Sequence, residues 1–233
     1  MRASSTGRGP GRPAAGDDSV PGLDRLMRQA VEAFAERGYE GVSIRAFNAA
    51  LGMSHTFIAD RYGSKDQFWR AAVTYAVDQV RGQVAGALAD DGREDGERLA
   101  AAVRAFHRQA SGSAHFARLV SIEAATDSPR LEFLYALIEP VNDAVRPLFD
   151  RLAADGTLRP MPWYVFHFLI TGSCGLYGQL PLARRLGRPD ETNGTAEADL
   201  LADLVLAACF TGEPPPPHEP FPGGLRNVEV RSA

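Results

Sequence analysis

Leu23, Leu26, Met27, Ala30, Val31 and Phe34 recur at i, i+3, i+4, i+7, i+8 and i+11, the single apolar stripe of an amphipathic helix. The stripe stops at Glu-Arg-Gly-Tyr-Glu-Gly-Val-Ser and a shorter pattern follows. Ile44, Phe47 and Leu51 lie at spacings of three and four behind Ser43, an N-cap residue whose oxygen accepts an orphan helix N–H. Gly52 ends that helix, where a positive φ is cheap only for glycine. Ser54 is placed to cap a second short helix, with Ile58 and Phe57 turned inward and His55, Thr56, Ala59 and Arg61 turned elsewhere. Ser64 with Gln67 three residues on predicts a third start and a helix to about Ala89. After a loop at Asp90–Gly96, helices are predicted near 97–110, 113–125, 128–154, 161–187 and 194–211. Ser128 followed by Pro129 marks one start, and Pro140 and Pro147 should bend or break that helix. Strand patterns are sparse, so the fold class is all-α.

Two short amphipathic helices joined by a tight Leu-Gly-Met turn make a helix-turn-helix, whose second helix enters the DNA major groove. Caps and a glycine turn alone would also serve a plain helical hairpin. The stripe before the hairpin and the helix start after it complete a three-helix DNA-reading unit. The expected organisation is an arm at 1–19, a helix-turn-helix domain at 20–66, a helical effector-binding and dimerisation domain at 67–212 and a proline-rich tail at 213–233. The arm is rich in Gly, Pro, Ser and Arg and is expected to be disordered. Its Arg8 and Arg12 suit a minor groove, although a solvated tail is the commoner use of such composition.

The run from Leu26 to Ala72 resembles the N-terminal domain of the TetR family, the tetracycline-repressor-like transcription regulators. The resemblance is carried by Ala33-Phe34-Ala35-Glu36-Arg37-Gly38-Tyr39, Leu51-Gly52-Met53-Ser54, Tyr62-Gly63-Ser64-Lys65-Asp66 and Phe68. It continues more faintly through Ser128-Pro129-Arg130-Leu131, Asp155-Gly156-Thr157-Leu158-Arg159-Pro160 and Ala183-Arg184-Arg185-Leu186. Many relatives carry Gly-Thr early in the recognition helix and then a tyrosine that touches phosphate. Here those places hold Thr56-Phe57 and Ala59, and an acid, Asp60, follows. The resemblance implies a homodimer that binds a palindromic double-stranded operator as a repressor and is released by a small-molecule effector. The DNA-binding candidates are Ser43, Arg45, Ser54, His55, Thr56, Phe57, Arg61, Tyr62 and Lys65. Ser54 and Tyr62 are expected to position phosphate, Lys65 to supply charge, and the helix after Ser64 to point its N-terminus at phosphate. His55, Thr56, Phe57 and Arg61 are the candidates for base edges or backbone.

Composition narrows the remaining choices. A chain of 233 residues with 45% apolar content can bury a sizeable core, and a net charge of −4 excludes a bulk nucleic-acid-coating protein. Lys65 is the single lysine among 25 basic residues, the rest being arginine. Cys174 and Cys209 lie in apolar segments without metal-like spacing, so buried free thiols, a reducing cytoplasm and no metal are expected. The N-terminus lacks a secretory h-region. Pro160–Ala183 contains no Asp, Glu, Lys or Arg, yet His167, Thr171, Ser173, Gln179, several glycines and flanking prolines argue for a buried interface helix over a membrane span. Gly172-Ser173-Cys174-Gly175 lacks the spacing and preceding strand of a nucleophile elbow, and no phosphate loop or dinucleotide fingerprint appears. No catalytic residue and no cofactor are therefore expected.

The second half is rich in large aromatics, which ordinary core packing would also explain. A family effector pocket would fall among them, and Phe106, Phe116, Phe133, Leu137, Trp163, Phe166, His167 and Ile170 are the expected ligand-binding residues. Gly172, Gly175 and Gly178 offer a flat small face, and Leu200 and Leu204 a stripe on the last helix. Two such helices from each of two chains would close a four-helix interface, as the resemblance implies. The alternative reading is a helical small-molecule-binding or interaction protein that has lost DNA binding.

Overall fold

Residues 22–89, 92–192 and 194–216 are described by a computed structural model of the chain. The arm at 1–19 and most of the tail at 213–233 lie outside them, including Arg8 and Arg12. The apolar stripe forms α1 (Leu23–Gly41), and Gly38 at φ 67° kinks its last turn. The hairpin is α2 (Ile44–Ala50) and α3 (Phe57–Tyr62), followed by the long α4 (Lys65–Leu88). The body holds α5 (Asp95–Ser111), α6 (Ala114–Glu123), α7 (Pro129–Ala154), α8 (Trp163–Ser173), α9 (Gly175–Gly178), α10 (Leu180–Arg185) and α11 (Gly194–Cys209). Extended pairing among the described residues is limited to one bridge, between Leu158 and Phe210.

Three predicted starts carry their caps. Ser43, Ser64 and Ser128 side chains accept from the backbone N–H of Ala46, Gln67 and Leu131 at 3.3, 3.1 and 3.2 Å. α5 begins earlier than its apolar pattern suggests, because Glu94 and Glu97 form a reciprocal capping box that the sequence reading missed. α7 runs unbroken through Pro140 and Pro147. The helix expected at 161–187 is instead three pieces, α8 to α10. The breaks fall in a glycine-rich stretch, where helical order costs most backbone entropy. Gly178 has a packing reason as well: a Cβ there would stand 3.3 Å from the backbone of Arg118 on α6. Its small face is thus used within the chain.

Two cores result. In the first, Phe34, Phe47, Ile58, Phe68, Trp69 and Val73 pack with Leu119 and Leu134 from the body. The first three turns of α4 therefore pack on the N-terminal core. Trp69 and Phe68 are fully buried, and truncating such an aromatic to Ala typically costs about 3–5 kcal/mol. The second core joins Leu99, Val103, Phe149, Leu152, Phe166, Ala202 and Leu206. Arg104 reaches Asp203 at 2.9 Å and Arg108 reaches Asp199 at 2.6 Å, pinning α11 to α5.

Candidate nucleic-acid interface and ligand cavity

The hairpin is held from beneath. Phe47 and Ile58 are buried, while Ile44, Leu51 and Phe57 pack partly buried on the same core. Gly52 sits at φ 69° and turns the chain. α3 starts later than the expected cap at Ser54: Thr56 stands at its N-cap without a side-chain bond, and Ser54 Oγ lies 3.4 Å from Thr56 Oγ1. The residue that fixes this turn is Asn48, which the sequence reading passed over. It is fully buried, its Nδ2 donates to the carbonyl of His55 at 2.9 Å, and its own carbonyl accepts from Met53 N. A polar residue on the apolar side of a short helix was the available signal.

The candidate DNA-binding residues separate into two groups. Ser43, Arg45, Ser54, His55, Thr56 and Arg61 are exposed on the hairpin. Phe57, Tyr62 and Lys65 are partly buried and already engaged. The Tyr62 ring packs on Phe68 with centroids 5.1 Å apart, and its hydroxyl is buried with no hydrogen-bond partner among the described residues. The ring completes the aromatic core. Lys65 Nζ donates to the carbonyl of Glu40 at 3.3 Å and stands 4.6 Å above the Tyr39 ring. The guanidinium of Arg130 lies 4.5 Å from the centroid of the same ring and is bonded to the buried carboxylate of Glu123 at 2.9 Å. Burial raises the Tyr39 pKa, and Asp66 raises it further. One tyrosine at the end of α1 thereby joins the start of α4 to α6 and α7.

The body encloses a cavity of about 650 Å³ between α4, α5, α6, α7 and α8. Phe106, Phe116, Trp163, Phe166, His167 and Ile170 line it, as do Val80 and Val84 of α4. Phe133 and Leu137 do not. Phe133 packs against Trp69 at 5.8 Å and under the guanidinium of Arg70, and Leu137 packs on the N-terminal core. Both lie on the α7 face that supports the DNA-reading unit. Aromatic content could not reveal that orientation. The cavity wall also takes Tyr135, Asn142, Tyr164 and Phe168, which the sequence reading had not selected.

Burial pushes the pKa of His167 down, favouring the neutral ring. His107 is fully buried and is likewise pushed down by burial. Its Nδ1 lies 2.9 Å from the Val103 carbonyl, which can only accept, so Nδ1 carries the proton. Its Nε2 lies 2.9 Å from Ser173 Oγ, a polar tie between α5 and the end of α8. Ser173 does not line the cavity. Burial raises the Cys174 thiol to about 12 and Cys209 to about 11, far from a reactive thiolate. Glu32, Glu36 and His115 bring ligand atoms within 4.8 Å of one another on the exposed α1–α6 surface. No helix of the described residues is long and apolar enough to cross a membrane.

A helix-turn-helix head carried on a helical body is the architecture of a class of bacterial transcription regulators. Residues 26–72 match the family model of the bacterial regulatory proteins of the tetR family, and the chain has the fold of a TetR-family transcriptional regulator. Among solved structures, a TetR transcriptional regulator from Chloroflexus aurantiacus J-10-FL is similar at 26% identity over 80% of this chain and 95% of that one, with a TM-score of 0.56. A putative fatty acid metabolism regulator of Clostridium perfringens shares the fold with a TM-score of 0.65 at 14% identity, over 78% of this chain and 97% of that one. AibR, solved in complex with isovaleryl coenzyme A and operator DNA, has a TM-score of 0.59 at 22% identity, over 77% and 97% of the two chains. No curated protein matches the chain.

Proposed function

We propose that this protein is a homodimeric repressor that binds a palindromic operator through α2 and α3 and is released by a small apolar effector in the cavity. The observation that carries the reading is one continuous helix, α4, whose start abuts the hairpin and whose Val77, Val80 and Val84 line the cavity. A molecule that fills the cavity presses on the element that bears the DNA-reading head. Regulation then requires unequal affinity for two arrangements of the dimer, because a ligand with equal affinity for both shifts nothing.

Dimerisation is supported by exposed apolar side chains on the last helices, including Leu169 at 38% and Leu204 at 59% exposure. Two-fold symmetry would set the recognition helices one DNA turn apart in the operator-competent state, ~34–36 Å, and the effector would disturb that spacing. Arg45, His55, Thr56 and Arg61 are the exposed candidates for DNA contact, with Ser43 and Ser54 for phosphate. AibR was solved with both an acyl coenzyme A and operator DNA, which supports reading the two sites together on this fold.

The test is a gel shift of the full chain on DNA upstream of its own and neighbouring genes, with random DNA as control. Sequence-selective binding supports the reading. A second reading, an effector-binding protein that has lost DNA recognition, is favoured by exposed Asp60 on α3 and the buried Tyr62 hydroxyl. Equal and weak binding to every duplex would establish that reading instead.

A further inference from the structure

The cavity wall carries no charged side chain among the described residues. Its polar members are Ser121, Tyr135, Asn142, Tyr164, His167 and Thr171. Two of them have spent their protons. Ser121 Oγ donates to the Ala117 carbonyl at 2.9 Å and Thr171 Oγ1 donates to the His167 carbonyl at 2.9 Å, so each offers a ligand only lone pairs. The His167 ring and the Asn142 amide make no hydrogen bond to a described residue, and no carboxylate faces His167 to hold a proton on it. These two groups are open hydrogen-bonding positions within the cavity, beside the Trp163 indole N–H and the Tyr135 and Tyr164 hydroxyls.

The arginines nearest the opening are Arg118 of α6 and Arg146 of α7, and neither lines the cavity wall. Tyr135, Tyr164 and Phe168, with Ser121 and Ala124 at the end of α6, are exposed and also line the cavity, so they form its mouth. α8 contributes no charged residue at all. On α7, the charged residues one turn from Tyr135 and Asn142 are Glu132, Glu139 and Arg146. Arg146 lies over the Trp163 ring, but its Nε is bonded to both oxygens of Asp150 at 2.9 and 3.1 Å. An ion moved from water into an apolar site without a partner either sheds its charge or stays out.

We propose that this cavity selects an uncharged lipophilic molecule bearing a hydrogen-bonding group for His167 and Asn142, and rejects anionic ligands of the same shape. The inference rests on the effector reading above and adds the chemical class of the effector. Fatty acids and acyl thioesters enter only as far as their neutral tails, because the cavity wall holds no cation for the head.

Two fluorescent probes with one skeleton test it on the full chain at pH 7.5: neutral N-phenyl-1-naphthylamine and its sulfonated analogue 8-anilinonaphthalene-1-sulfonate. The neutral probe is expected to bind once per chain at least tenfold more tightly. Methyl decanoate should displace it, and decanoate should need at least tenfold higher concentration. Ala117→Trp and, independently, Val145→Phe narrow the cavity and should abolish neutral-probe binding while circular dichroism stays native. If both probes bind with similar affinity and both are lost in the narrowed variants, the cavity accepts anions. The inference then fails, although the effector reading stands. If the sulfonate binds more tightly, the inference fails in the same way. If neither probe responds to narrowing, the cavity is not a ligand site and both readings fall.

Discussion

Asn48 shows what a single buried polar group does for the DNA-reading head. Its amide holds the His55 carbonyl at the entry to α3, where no side-chain cap serves the helix. Removing one partner of a buried hydrogen bond costs about 1–3 kcal/mol. Asn48→Ala should therefore lower the thermal midpoint of the full chain and weaken operator binding together. Calorimetry beside a gel shift checks this, and a stability loss without an affinity loss would detach Asn48 from DNA reading. His107 offers a pH prediction. Burial holds its folded pKa below the ordinary histidine value, so the folded state binds fewer protons than the unfolded one. Stability is then fully present above about pH 6.5 and is lost as pH falls through that value toward the folded pKa. His167 acts in the same direction. Thermal melts between pH 7.5 and 5 should show a falling midpoint, and His107→Gln should flatten part of that fall. A variant as pH-sensitive as the wild type would place the effect elsewhere.

At the scale of elements, α4 is the direct lever, but a second connection accompanies it. The Glu123–Arg130 pair joins the end of α6 to the start of α7, and Arg130 lies on Tyr39 of α1. Val120, Ser121 and Ala124 of α6 and Leu131 of α7 line the cavity, so a ligand touches both partners' helices. Arg130→Gln leaves the Glu123 carboxylate buried without its cation. The expected cost is roughly 2–3 kcal/mol, below the ~3–5 kcal/mol of a fully buried pair because Arg130 is itself 31% exposed. The variant should also reduce the effector-induced change in operator affinity, as should Val84→Ala on α4. Operator affinity measured with and without a releasing ligand checks both. Wild-type coupling in Arg130→Gln with loss in Val84→Ala would assign the coupling to α4 alone.

For the whole molecule, the exposed apolar faces of α8 and α11 set the expected assembly. Light scattering of the full chain should return about twice 25.1 kDa at micromolar concentration. Leu169→Glu with Leu204→Glu should give monomers that bind the operator on the order of 10²-fold more weakly, since each half-site then binds without its tether. A dimer that survives both charges would move the interface to another face.

The residue-level outcomes show where sequence alone sufficed. Ser43, Ser64 and Ser128 cap as expected, Gly52 takes its positive φ, and the stripe from Leu26 to Phe34 is buried. Each depends on neighbours within four residues, so periodicity and cap chemistry determine them. The same local order carries the family resemblance, which is why the head and the fold class were legible. The tertiary structure decided the rest. It turned Phe133 and Leu137 toward the N-terminal core and away from the cavity, sent the Tyr62 hydroxyl inward and spent Lys65 on Tyr39 and Glu40. It also divided the 161–187 segment where α9 passes against α6 at Gly178. The orientation of an aromatic on a two-sided helix, or the partner of a cation, is fixed by contacts between residues far apart in the chain. Periodicity along one helix contains no term for those contacts, so the cavity's uncharged wall and the Tyr39 junction became visible only when the helices were packed.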